Sequence, residues 1–158
     1  MKEMHANIEE STLEAKNEYR DRIDLLRTRV HMLTGRDRLL MTMYLEKGNS
    51  IRQLARLTGV NDTVIARRIR KLVKRLSGGE YITCLRNRNR FTKIEMAVAK
   101  SYFLNGLSIK KTAAENHLTY YRTREITKRI QRIIAIIQQQ RSVGANNKNG
   151  FGRPSPQK

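Results

Sequence analysis

The stretch "KGNSIRQLARLTGVNDTVIARRIRKL", Lys47–Leu72, decides the fold. Its apolar residues recur three and four apart, the spacing of one helix face, but two glycines interrupt the pattern. Gly48 suits the left-handed position that ends a helix running from about residue 35 to 47. Ser50 is placed to cap a short second helix that stops at Gly59. Asn61 is placed to cap a third, on which Ile65, Ile69, Leu72 and Leu76 share a face. A short helix, a tight turn and a further helix, braced by a preceding one, make a helix-turn-helix. In that geometry Ala55 is small where the helices cross and Gly59 permits the turn. Val60, Ile65 and Ile69 hold the third helix against the other two.

The same pattern returns further along. Sliding the chain by 58 residues lays Thr34–Leu76 over Thr92–Ile134 without a gap. Identities fall at Thr34/Thr92, Tyr44/Tyr102, Gly48/Gly106, Ser50/Ser108, Ile51/Ile109 and Ala55/Ala113, the positions such a unit needs. Leu40/Val98, Leu45/Phe103, Val60/Leu118, Leu72/Ile130 and Leu76/Ile134 keep their apolar character. Gly106, Ser108 and Thr119 repeat the stop and the two caps. The second turn carries Asn116-His117 in place of Thr58-Gly59, so a less regular second unit is expected.

Around these units the expected architecture is all-α. Residues 1–33 form an amphipathic helix with a stripe of Ile8, Ala15, Tyr19, Ile23, Leu26, Val30 and Leu33. That stripe either docks on the body of the protein or pairs with a second copy as a homodimer through residues 8–33. The first unit covers 34–76 and the second 92–140. Between them lies a linker, 77–91, where Ser77-Gly78-Gly79 is a break and Tyr81–Leu85 leans to strand; a small wing, an extended linker and the early part of another helix are all open to it, and a linker of weak strand character is favoured. Residues 141–158 are rich in Gly, Asn and Pro and are expected to form a disordered basic tail.

The charge is distributed to match. The net charge is +19. Residues 1–33 carry −1, while 34–76 carry +8, 77–91 +2, 92–140 +6 and 141–158 +4. Such an excess implies a polyanionic partner, and its placement assigns it to particular elements. On the third helix of the first unit, Asp62, Thr63, Ala66, Arg67 and Arg70 face outward and are the candidates for reading bases, arginine pairing bidentately with guanine. Arg68, Lys71, Lys74 and Arg75, with Ser50, Arg52 and Asn61, are candidates for phosphates. In the second unit Tyr120, Tyr121 and Arg124 are base-reading candidates. Ser108, Lys110, Lys111, Thr119, Arg122 and Lys128 are phosphate candidates. Tyr121 either reads or packs inward. Glu125 either accepts from cytosine or pairs locally with Arg122 or Arg129. Two successive contacts predict a non-palindromic site of about 20 base pairs.

The segment "LTGRDRLLMTMYLEKGNSIRQLARLTGVNDTVIARRIRKLVKRL" resembles the region-4 helix-turn-helix of bacterial sigma factors and related regulators. The resemblance sits on Arg36, Leu39, Leu40, Tyr44, Gly48, Ser50, Ile51, Leu54, Ala55, Gly59 and Val60, covers about 33–76 and extends more faintly over 92–134. It implies a tri-helical DNA-binding domain. Gln53 stands where the family has an acidic residue, and nothing resembles the polymerase-binding region 2, so sigma activity itself is not carried over.

Enzymatic chemistry is not expected. His5, His31 and His117 are isolated, and no paired carboxylates, phosphate loop or metal-ligand spacing occurs. No cofactor or metal is implied. A single cysteine, Cys84, suits a reducing cytoplasm. The opening residues are not a secretory signal, and the longest apolar run, Ile133–Ile137, is too short for a bilayer. The expected function is sequence-specific double-stranded DNA binding in transcription regulation, in a bacterial cytoplasm at the nucleoid. The alternative is an adaptor of the same fold that binds RNA, RNA polymerase or another protein.

Overall fold

The structure, a computed structural model, describes residues 3–146 and the side chains of residues 12–144. Every regular element among them is a helix. These are α1 (Glu3–Val30), α2 (Gly35–Leu45), α3 (Ile51–Thr58), α4 (Asp62–Gly78), α5 (Glu80–Arg86), α6 (Lys93–Ala99), α7 (Ile109–Glu115) and α8 (Tyr120–Asn146). A 3₁₀ turn follows α5 at Arg88–Arg90, and a π-helical segment, Lys100–Leu104, continues α6. The chain divides into two compact units. Unit 1 contains the residues up to Ile82 together with Phe103–Gly106, and unit 2 contains Thr83–Tyr102 and the chain from Leu107 onward.

In unit 1, α1, α2, α3 and α4 enclose a core of Leu26, Val30, Leu33, Leu40, Met41, Leu45, Leu54, Ile65, Ile69, Leu72 and Leu76, joined by Leu104. Each such side chain contributes about 1.5–3 kcal/mol by leaving water. The end of α1 is fixed by charge as well as packing. Arg27 donates from Nε and Nη2 to the Leu45 carbonyl at 3.2 Å each. Arg29 donates from Nη1 to the carbonyls of Leu76 at 2.6 Å and Ser77 at 2.9 Å. These carbonyls lie at the C-terminal ends of α2 and α4, where helices leave acceptors unpaired and favour cations. The apolar stripe of α1 therefore docks within the chain from Ile23 onward. Ala15 and Tyr19 are exposed, and Ile8 lies outside the described side chains.

In unit 2, α6, α7 and α8 pack around Val98, Ala99, Ala113, Ile126, Ile130, Ile134 and Ile137. Its core also encloses Thr112, Thr123 and Thr127, each under 5% exposed. The three threonines stand 58 residues after Leu54, Ile65 and Ile69. Thr123 and Thr127 return their hydroxyls to carbonyls one turn back, Thr119 at 3.0 Å and Thr123 at 2.8 Å. The Thr112 hydroxyl has no hydrogen-bond partner.

The 58-residue offset is exact in the backbone. It separates the first residues of α2 and α6, of α3 and α7, and of α4 and α8. Asn49 N–H closes on Met43 O at 3.1 Å, and Leu107 N–H on Ser101 O at 3.1 Å; Val60 N–H meets Ala55 O and Leu118 N–H meets Ala113 O. Gly48 and Gly106 hold φ of 68° and 67°, Gly59 holds 67°, and His117 takes the corresponding position at 53°. The second unit is less regular in that residue and in its π-helical segment, where an i→i+5 ladder replaces the α pattern.

Two expectations are corrected. The linker has no strand character: α4 runs on through Ser77 to Gly78, and Glu80–Arg86 is α5. Tyr81 is half-buried, and Ile82, Thr83 and Cys84 are buried. Consecutive buried positions suit a helix end enclosed by neighbours better than an alternating strand, and tertiary burial overrides a weak β propensity. The tail also begins later than expected. Residues 141–146 continue α8, with Ser142 Oγ donating to the Gln139 carbonyl at 2.8 Å; the rest of the proposed tail lies outside the described residues.

Candidate nucleic-acid interface

The start of α4 is set by Asn61, whose Oδ1 accepts the Thr63 N–H at 2.9 Å. Burial of Ile65, Ile69, Leu72 and Leu76 then fixes the roll of the helix. The opposite side is a ridge of Thr63, Arg67, Arg70 and Lys74, spaced by four, three and four residues, with Lys71 beside it. All are exposed. No carboxylate among the described residues lies within ion-pair distance of Arg67, Arg70, Lys71 or Lys74. Asp62 is exposed at the helix start, and Ala66 is half-buried.

Other candidates have structural partners. The Arg68 guanidinium lies 2.7 Å from Asp37 Oδ1 through both Nε and Nη2, binding α4 to α2. The Arg75 guanidinium lies against Gly106, where a Cβ would come within 2.6 Å of both terminal nitrogens. Ser50 Oγ accepts from Gln53 N–H while Gln53 Oε1 accepts from Ser50 N–H, a reciprocal cap for α3. Gln53 thus has a local role in holding α3. Arg52 and Arg56 on α3 line a shallow cleft with Ala55, Val60 and Asp62.

In unit 2 the caps repeat. Ser108 Oγ accepts from Lys111 N–H at 3.3 Å, and Thr119 Oγ1 from Arg122 N–H at 3.2 Å. Lys110 and Lys111 are exposed in the first turn of α7, where the helix macrodipole disfavours cations. Tyr120 and Tyr121 are 56% and 73% exposed, so Tyr121 does not pack inward. Arg122 and Arg124 are exposed. Glu125 lies 3.6 Å from Lys128, and Arg129 lies 3.3 Å from the buried Glu95. Glu95 also closes a capping box with Thr92.

Three cationic residues were not among the contact candidates read from the sequence. Arg22, in the neutral N-terminal segment, lines a cleft with Arg70 and Lys74. Its place on the outward turn of a helix docked beside α4 is not visible in a segment charge. Arg129 and Arg132 line a cleft with Arg122 and Glu125, and the 58-residue offset from Lys71 and Lys74 marks both. Val60 departs from its expected place in the core. It is 39% exposed and joins Leu39, Met43, Val64, Arg36 and Arg68 around an apolar groove of about 410 Å³.

No group of three or more metal-ligating side chains occurs among the described residues, and none of their helices is long and apolar enough to cross a membrane. No protein-family model, no curated protein and no solved structure matches this chain.

Proposed function

We propose that the chain is a sequence-specific double-stranded DNA-binding regulator of transcription, with two tandem helix-turn-helix units akin to sigma-factor region 4. It acts in a bacterial cytoplasm, and α4 and α8 are its groove-reading helices. The observation that carries this reading is the ridge of Thr63, Arg67, Arg70 and Lys74, whose three cations have no ion-pair partner among the described residues, on the outward side of a helix whose roll is fixed by four buried residues. Such a row is electrostatically unfavourable until a polyanion lies along it, and its arginines have the fork that guanine O6 and N7 accept. Support comes also from Arg52 and Lys110–Lys111 in the first turns of α3 and α7. Cations there oppose the helix dipole, and a phosphate at the same place satisfies both.

The test is a selection of preferred duplexes from a random library, followed by binding isotherms across a range of salt. Replacing Arg67 and Arg70 by alanine costs about 1–3 kcal/mol for each base contact and flattens sequence preference. Replacing Lys71 or Lys74 weakens binding to all sequences alike and lowers the salt slope by about 1 per contact. Full selectivity in the double arginine variant would move the reading face elsewhere. Structured RNA competing better than duplex DNA at equal salt would favour the RNA adaptor.

A second reading has its own observation. The groove walled by Leu39, Met43, Val60 and Val64 and rimmed by Arg36 and Arg68 is suited to an apolar protein segment with acidic flanks, such as a surface of RNA polymerase. Retention of purified polymerase by the wild type, lost in a Leu39→Glu variant, is its expected signature.

A further inference from the structure

We infer that the two units read different chemistry: α4 reads guanine through Arg67 and Arg70, whereas α8 reads the C5-methyl groups of thymine through Tyr120 and Tyr121, an inference that rests on the DNA-binding reading above. At an offset of 58, Glu125 and Lys128 stand where unit 1 has Arg67 and Arg70, and Tyr120, Tyr121 and Arg124 stand where it has Asp62, Thr63 and Ala66. Glu125 and Lys128 face each other at 3.6 Å, so the two guanine-reading positions of unit 1 neutralise each other in unit 2. One turn further, Arg129 is held by Glu95 at 3.3 Å.

What α8 then offers in its first turn is two phenol rings, 56% and 73% exposed, beside Arg122 and Arg124. Neither ring belongs to the buried core. The buried face of this stretch is Thr123, Ile126, Thr127 and Ile130, and the cap is made by the Thr119 hydroxyl. Adjacent exposed rings leave apolar surface in water without return, unless something apolar covers it. In the major groove the thymine methyl is the apolar group on display, and aromatic or small apolar side chains contact it. Tyr121 replaces Thr63, itself a residue type that meets this methyl. Arg122 and Arg124 keep the flanks cationic, so the helix approaches a phosphate-lined groove although its central positions are neutralised. Burying one methyl group changes affinity by about fourfold. The composite site therefore joins a guanine-bearing block to a thymine-bearing block, and nothing in it calls for two-fold symmetry.

The experiment uses the full chain. On the duplex recovered from a random library, each thymine is replaced singly by deoxyuridine, which removes the methyl and leaves base pairing intact. One or two replacements are expected to lower affinity about fourfold each, within the block that stays protected when Arg67 and Arg70 are alanine. Tyr120→Ala/Tyr121→Ala is expected to abolish this sensitivity, while Tyr120→Phe/Tyr121→Phe, which keeps the rings, retains it. Helix content by circular dichroism serves as the folding control, since both rings lie outside the core. A recovered duplex indifferent to every uracil, or a sensitivity that survives the alanine pair, overturns the inference and leaves DNA binding standing. A library that yields no enriched duplex overturns both.

Discussion

At the scale of single residues, the most exposed weakness of the fold is the most buried hydroxyl. Thr112 is fully buried, its Oγ1 has no partner, and its counterpart in unit 1 is Leu54. An unsatisfied buried polar group costs about 1–3 kcal/mol, whereas a methyl of the same shape adds dispersion contacts. Thr112→Val is therefore expected to stabilise unit 2 by about 1 kcal/mol, read as an increased denaturation midpoint at unchanged slope. A lower midpoint would mean that the hydroxyl is satisfied in solution. Glycine 106 supplies a second comparison. Gly48 and Gly106 share a left-handed φ near 67°, but open space surrounds a Cβ at 48, while at 106 it meets the Arg75 guanidinium at 2.6 Å. Gly48→Ala should cost about 1 kcal/mol, from backbone strain alone. Gly106→Ala should cost about the same, because the guanidinium is the far end of a flexible side chain and can swing aside; a markedly larger loss, relieved by Arg75→Ala in the same chain, would show that Arg75 is held against this turn.

At the scale of elements, the caps decide how firmly each helix begins. Among α3, α4, α6 and α7 three kinds occur: α3 and α6 have full capping boxes closed by Gln53 and Glu95, α4 has the single Asn61 bond, and α7 has Ser108 with Lys111 at the position where a box would place Glu or Gln. Lys111→Gln is expected to complete the box, stabilising α7 by about 0.5–1 kcal/mol, and to lower the salt slope of DNA binding by about 1. Stability and affinity moving in opposite directions would identify Lys111 as a phosphate contact retained against local preference; an unchanged slope would leave it an ordinary surface lysine. Caps and glycine stops were legible in the sequence because they are local: Ser50, Asn61, Ser108 and Thr119 all cap, and Gly48, Gly59 and Gly106 all take left-handed backbone. The region from Ser77 to Phe91 was legible only as a choice among wing, linker and helix, and the favoured choice was the wrong one. Its Tyr-Ile-Thr-Cys run has β-leaning residues, and only enclosure by the surrounding chain makes it helical. The pairing of Arg68 with Asp37 and the approach of Arg75 to Gly106 were hidden for the same reason, since each neighbour lies some thirty residues away in sequence.

At the scale of the whole molecule, the two units share a backbone plan but not a core. Leu54, Ile65 and Ile69 fill unit 1 where Thr112, Thr123 and Thr127 fill unit 2. Exchanging three large aliphatic side chains for threonine forfeits several methylene groups, at about 0.8 kcal/mol each, and adds hydroxyls that need partners. Two of those hydroxyls bond back within α8 itself, a geometry that favours bending of a helix over anchoring it to its neighbours. His117 in a left-handed turn adds strain where unit 1 has Gly59. Working the other way, unit 2 adds Ile137 to its core beyond the length of α4, and Arg129 binds α8 to the buried Glu95 of α6. A partly exposed pair of that kind contributes about 1 kcal/mol at most, and one isoleucine about 1.5–3 kcal/mol, less than the combined deficit. Unit 2 is therefore expected to be the less stable of the two. Native-state hydrogen exchange should show the amides of α7 and the first half of α8 opening at a free energy lower by a few kcal/mol than those of α3 and α4. Replacing Thr112, Thr123 and Thr127 together by Leu, Ile and Ile should narrow that gap. Equal protection in the unaltered chain would show that the units open as one cooperative body, and the difference in core composition would then have no bearing on which of them yields first.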